Sequence, residues 1–276
     1  TQRGITLRVH VDYAAADSAY RAALAIQQST YGPEHADIAE TLTNLAVVVR
    51  RQGDLPRAET LAREALAQRI QFLGFDDEEV AGSMNNLAVI LSLQGKMEEA
   101  DSLYALATGV LRRTAGDLHP GGASMLNNRA YIRGQLGDLP ASEALYREAI
   151  MAKRSLLGPD HPGLVRNLKN LTSTLMSQEK YAAAGSVLAE AFSNSEAAVR
   201  DAHPDVGISL AHRGRLRAAQ GRAAEAGRDF LASIDVRRDV YEAPHQRIAS
   251  SLHGLAQALS DQGRHAEAEA TQREGL

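Results

Sequence analysis

Between Ile38 and Gln52, apolar side chains fall at Ile38, Leu42, Leu45, Ala46 and Val49, the spacing that lines one face of an α-helix. Gly53 interrupts the pattern, Asp54 can cap a new helix, and Pro56 lies in its first turn, where proline is tolerated. Ala58, Leu61, Ala62, Ala65 and Leu66 then draw a second stripe, which extends to about Leu73 and ends at Gly74. Two helices joined by so short a turn run antiparallel, so the pattern predicts a helical hairpin.

That hairpin recurs along the chain. Gly53, Gly95, Gly137, Gly221 and Gly263 keep a step of 42 residues, with Glu179 in place of the one glycine that is missing. The same step carries Leu45, Leu87, Leu171 and Leu255, the small residues Ala58, Ala100, Ala184, Ala226 and Ala268, and His35, His119, His161, His203 and His245. Gly32-Pro33-Glu34-His35 and Gly158-Pro159-Asp160-His161-Pro162 read as links between hairpins, since glycine ends one helix and proline prevents its continuation. Units of this kind cannot bury their apolar faces alone and must stack.

The expected architecture is an all-α, right-handed solenoid of thirteen or fourteen helices. Its predicted units are a partial repeat at 1–34, full repeats at 35–76, 77–118, 119–160, 161–202 and 203–244, and an incomplete repeat at 245–276. Thr1 to His10 can supply only half a helix, and Leu276 falls before the last second helix should finish. Neither end shows a polar cap, so the sequence is expected to be a piece of a longer protein.

Met84-x2-Leu87-Ala88-x2-Leu91 followed by Ala100-x3-Tyr104 resembles the tetratricopeptide repeat. The long period, with Asn-Leu-Ala and Leu-Gly-Pro-x-His-Pro elements, is most similar to the kinesin-light-chain type and covers residues 12–276. HEAT and armadillo repeats share the period but not this combination of positions. The resemblance implies a protein-interaction scaffold in which first helices line a concave groove. Similar arrays also form the sensory or regulatory arm of bacterial kinases, switch ATPases and caspase-like proteases, which is the alternative reading.

Composition narrows the chemistry. There is no Cys, which removes disulfides, thiolate metal sites and a cysteine nucleophile. A net charge of −4 argues against a general nucleic-acid binder, and the absence of a long apolar run argues against a membrane span. A cytoplasmic location is expected. Lys occurs only at Lys96, Lys153, Lys169 and Lys180 and Arg supplies the rest of the 30 basic residues, a bias that suggests a GC-rich bacterial genome. Phosphate-binding loops, His-Glu-x2-His and calcium-loop patterns are missing, so no catalysis, metal or cofactor is expected.

The histidines recur once per repeat, too far apart for one ion to gather, and are expected to fill linkers or cap helices. His119-Pro120-Gly121-Gly122 is read as another linker, and the sequon Asn170-Leu171-Thr172 lies inside a helix. Arg129 and Arg213 occupy the place of Leu45, so each must snorkel, find a carboxylate or serve a ligand. With Arg215, Arg217, Arg222 and Arg228, Arg213 forms a cluster expected to be a solvated face, with phosphate, acidic peptide or single-stranded nucleic acid as alternatives. Ser193-Asn194-Ser195-Glu196 and Arg200 replace the usual sequence before the linker, and the fifth full unit, with His212-Arg213-Gly214 in place of Asn-Leu-Ala, diverges most from the pattern.

Asn44, Asn86, Asn128 and Asn170 also keep the 42-residue step. An amide both donates and accepts, which suits an extended peptide backbone, and the resemblance implies that these asparagines are groove positions. The competing role is hydrogen bonding between repeats, and the two can coexist. Arg50, Asn85, Asn127, Tyr131, Arg166, Lys169 and Arg215 flank them on the same helices as further groove candidates, the cations suited to an acidic protein or peptide ligand.

Overall fold

In the computed structural model, which describes residues 12–198, 204–241 and 245–275, each apolar stripe is a helix. There are thirteen α-helices and no strand among the described residues. They are α1 (Tyr13–Tyr31), α2 (Ala36–Gln52), α3 (Leu55–Leu73), α4 (Glu78–Leu93), α5 (Met97–Thr114), α6 (Pro120–Gln135), α7 (Leu139–Leu157), α8 (Val165–Ser177), α9 (Tyr181–Ala198), α10 (Pro204–Ala219), α11 (Ala223–Val240), α12 (Gln246–Ser260) and α13 (His265–Glu274). The chain is an all-α solenoid in which α2, α4, α6, α8, α10 and α12 are first helices and the odd-numbered ones are second helices. It forms two compact units, Thr1–Met125 and Leu126–Leu276, the change falling inside α6.

The turns work as the pattern requires. Gly53 adopts φ +91°, a left-handed conformation that closes α2, and Asp54 then accepts a hydrogen bond from the Arg57 amide at 3.2 Å to start α3. Glu179, which replaces the turn glycine, is held in the same region at φ 59°. The turn therefore survives a residue that disfavours it.

Histidine caps explain the histidine series. The Nδ1 atoms of His35, His119, His161 and His245 accept from the amides of Asp37, Gly121, Gly163 and Arg247 at 3.2, 3.1, 2.9 and 3.1 Å. His203, Thr1 to His10, Arg200 and Leu276 lie outside the described residues. Thr172 of the sequon is buried inside α8 and donates to the Leu168 carbonyl at 2.8 Å.

In the first unit, Ile38 and Leu42 of α2 pack with Ala65, Leu61 and Leu24, while Met84, Leu87, Leu91, Ala100 and Tyr104 are buried in the next hairpin. In the second unit, Ala130, Tyr146, Ile150, Leu164, Leu168, Leu171 and Leu188 form one cluster. Phe230, Ile234, Leu252 and Leu255 form another. Phe230 lies so close to α12 that a Cβ on Gly254 would stand 2.5 Å from its ring.

Two polar ties, built from positions on the 42-residue step though not in every unit, join a second helix to the following hairpin. Gln27, Arg69 and Lys153 donate to the backbone carbonyls of Asp37, Glu79 and Gly163 at 3.5, 3.5 and 3.4 Å, and Arg237 does the same to Arg247. Arg69 also reaches Ser83 at 2.6 Å, Lys153 reaches Asn167 at 2.9 Å, and Arg237 reaches Ser251. The second tie is a carboxylate. Asp17 takes Arg57, Glu59 takes Lys96, and Glu143 takes Lys180, at 2.8, 2.7 and 2.7 Å. Each also holds the arginine one turn further along its own helix, Arg21, Arg63 or Arg147.

Candidate functional site

The asparagines sit where the helical pattern turns partly out of the core. In the first unit Asn44 on α2, and Asn85 and Asn86 on α4, are half-buried beside the buried Leu45 and Leu87. Arg50, in the last turn of α2, is half-buried, and its pKa is lowered by burial, with Arg51 adding to the effect.

In the second unit the structure brings several candidates together. The Asn170 amide on α8 donates to the Asn127 side-chain oxygen on α6 at 3.3 Å, and the Asn127 amide points to Asn128 at 3.5 Å. This contact ties neighbouring first helices, so the role in joining repeats is present here. Asn170 and Tyr131 also line one hollow of about 230 Å³, with Tyr146 and Ser142 among its walls. Tyr131 is 52% exposed.

The cations separate by exposure. Arg166 and Arg215 are exposed, whereas Lys169 is only 6% exposed. His212 on α10 lies among Arg215, Lys169 and Arg237, and burial, reinforced by these three, drives its pKa down to about 3. Burial also lowers Lys153, next to Arg166, and pushes Arg237 down to about 10. Neutral imidazole is thus held in a field of cations.

In the cluster on α10 and α11, Arg215, Arg222 and Arg228 are exposed as the solvated-face reading expects, whereas Arg213 and Arg217 turn to a carboxylate. Arg213 donates twice to one oxygen of Asp229, at 3.0 and 2.8 Å, and Arg217 donates to the other at 2.7 Å. The Arg213 guanidinium also lies over the Phe192 ring at 4.8 Å. Asp229 stands where the first full repeat has Leu61, just as Arg213 stands where it has Leu45. An apolar pair has been replaced by an ion pair in which Asp229 is buried and Arg213 stays partly exposed, a compensation that removes the cost of an isolated buried carboxylate. Arg222 pairs with Glu225. Both matches were present in the sequence but required two substitutions to be read together.

Charge is divided between the two kinds of helix in the second unit. The first helices α6, α8 and α12 contain no Asp or Glu, and α10 contains only Asp205. They carry Arg129, Arg133, Arg166, Lys169, Arg213, Arg215, Arg217 and Arg247. The second helices α7, α9, α11 and α13 hold the acids, among them Glu143, Glu190, Asp235 and Glu269. No helix among the described residues is long and apolar enough to cross a membrane.

A family model of the tetratricopeptide repeat matches residues 3–71, 79–155, 123–197 and 205–276. No curated protein sequence matches the chain. Solved structures with a similar fold include the apo form of RapI, at 16% identity, covering 95% of this chain and 90% of that one with a TM-score of 0.67. Pseudomonas aeruginosa pilF is similar at 17% identity over 87% of this chain and 92% of its own, with a TM-score of 0.58. A putative kinesin light chain from Podosopora anserina with nearly identical repeats has 16% identity, 88% and 95% coverage and a TM-score of 0.46. At these identities the RapI and pilF likenesses show the fold alone.

Proposed function

The chain belongs to the tetratricopeptide repeat family, whose arrays act as protein-interaction scaffolds, and from that premise we propose that its first helices hold an extended, acidic segment of a partner protein. One observation carries the acidic class: the first helices of the second unit bear cations almost without carboxylates, in a chain whose net charge is −4. Around His212, Lys169 and Arg237 are buried and Arg215 is exposed, so a carboxylate reaching Arg215 meets a local excess of positive charge.

In this reading Asn128 and Asn170 hold the ligand backbone in the second unit, and Asn44, Asn85 and Asn86 act likewise in the first. Tyr131 offers an apolar contact, and Arg166, Arg215 and Lys169 pair with acidic side chains, as Arg50 does on α2. Asn127 holds Asn170 in place. No reaction is proposed.

The test uses dodecapeptide arrays graded from neutral to Asp- and Glu-rich, then calorimetric titration of the tightest binder. Asn128→Ala with Asn170→Ala should weaken binding by about 1–3 kcal/mol, since each lost amide leaves ligand groups unpaired. Melting should fall less than affinity. Loss of thermal stability with unchanged affinity would assign these asparagines to joining repeats and end the proposal for them.

A further inference from the structure

The carboxylate that ties one hairpin to the next is missing in two successive units. One and two steps of 42 residues beyond Glu143 stand Gly185 and Gly227. At each there is a cleft beside the following first helix. That at Gly185 measures about 490 Å³, and Leu188, Phe192, Leu216, Arg213, Arg217 and Arg222 line it. That at Gly227 measures about 230 Å³, and Leu255 and Leu259 take the places of Arg213 and Arg217.

The backbone does not require either glycine. Both lie inside helices without a positive φ, and an added Cβ would come no closer than 3.7 Å to a neighbour at 185 and 3.5 Å at 227. Glycine within a helix lowers its stability, so local folding does not account for these residues. Their effect is to leave space where Glu143 and Glu59 have a side chain.

Of the two cations in an intact tie, the one from the next turn is still there, while Ala189 stands at the place of Arg147. In the intact ties the turn residues Lys96 and Lys180 reach back to Glu59 and Glu143. At the Gly185 cleft the corresponding residue is Arg222, which instead folds onto Glu225 in its own first turn, at 2.8 and 2.7 Å. Arg222 is 49% exposed in that pair, so the pair is weak and readily exchanged. Arg213 and Arg217 share Asp229 on the same wall. Three guanidiniums thus face two carboxylates. At the Gly227 cleft Arg264 pairs with Glu267 and Arg228 lies on the same lining, but Leu255 and Leu259 stand where the Gly185 cleft has Arg213 and Arg217, so its wall beside the first helix is apolar rather than cationic.

We propose that the Gly185 cleft is a docking site for an acidic side chain of a partner protein, whose carboxylate takes the position that Glu143 fills one hairpin earlier. The carbons of that side chain and its neighbours rest on Leu188, Phe192 and Leu216, an apolar floor that suits a polypeptide better than an inorganic anion. The site uses none of the residues assigned above to the peptide surface.

The full chain can supply its own probe. Gly185→Glu restores the carboxylate in cis, and Gly185→Gln has the same length without the charge. The Tm of the Glu variant should exceed that of the Gln variant by a few degrees at low salt, and the gap should close in concentrated salt and in the Arg222→Ala background. In parallel, a random dodecapeptide phage library is panned on the wild-type chain and counter-selected against Gly185→Glu. Retained peptides should carry Asp or Glu, and a synthetic one should lose roughly tenfold or more in affinity on Gly185→Glu or when its acid is changed to the amide. Gly185→Ala, which barely fills the cleft, should change affinity by less than about threefold. Equal melting of the Glu and Gln variants, or failure to retain acidic peptides, would overturn the proposal. So would inorganic phosphate competing as well as peptide, which would make the cleft a small-anion site.

Discussion

Gly254 and Gly185 both lie within helices, yet the same substitution should move stability in opposite directions at the two positions. A Cβ on Gly254 would stand 2.5 Å from the Phe230 ring, which is 2% exposed and has no room to retreat. Overpacking of that kind costs about 1–3 kcal/mol, more than the roughly 1 kcal/mol that alanine gains over glycine in a helix. Gly254→Ala should therefore lower the midpoint of denaturant unfolding, and Phe230→Leu should remove most of the penalty in the double variant. At Gly185 the nearest atom is the Leu216 Cδ2 at 3.7 Å, an ordinary contact. Gly185→Ala should raise stability by up to about 1 kcal/mol. If both variants shifted the midpoint the same way, the close approach of Phe230 to α12 would be wrong.

The tie between α3 and the turn joining α4 to α5 shows what a pair of elements adds, and how pH reads it. Glu59 is held down to a pKa of about 2, first by the hydrogen bond from Lys96, against the opposing effect of burial, and then by Arg63 and Gln94. Its carboxylate is favoured in the folded state, so the stabilisation is complete above the ordinary value of 4.5 and is lost as pH falls toward 2. Lys96 and Arg63 are nearly half exposed, so solvent screening limits the contribution to roughly 1–3 kcal/mol. Wild type should exceed Glu59→Gln by that margin near pH 6 and converge with it near pH 2, measured by urea unfolding across the range. A constant difference would show that the tie is steric rather than ionic. The hairpins themselves were legible in sequence because apolar period, turn glycine and capping Asp act within a few residues, so local chemistry decides them. The ties were not, because Glu59 and Lys96 lie 37 residues apart and each alone reads as a solvated helical charge. Their signal was nonetheless present as Asp17, Glu59, Asp101 and Glu143 at one step, the same ruler that located the turns.

At the scale of the whole molecule, the charge pattern sets a recognition problem that net charge alone does not solve. The chain carries −4 overall, so an acidic segment is repelled at long range and must gain its attraction from the first helices of the second unit. The sequence showed the candidate residues there but not which cations stay accessible. Lys169 is buried while Arg166 and Arg215 are exposed, a difference set by how α8 and α10 pack rather than by their spacing along either helix. Reversing the two exposed charges, Arg166→Glu with Arg215→Glu, should therefore weaken an acidic dodecapeptide by roughly tenfold to a hundredfold and flatten the dependence of its affinity on salt. The comparison is Arg112→Glu with Arg113→Glu on α5, which changes net charge equally at exposed positions of a second helix. That pair should alter affinity only slightly. Titrations of both variants over a range of ionic strength separate the two ideas, because attraction set by total charge would weaken both to the same extent and leave the division of charge between first and second helices without a part in binding.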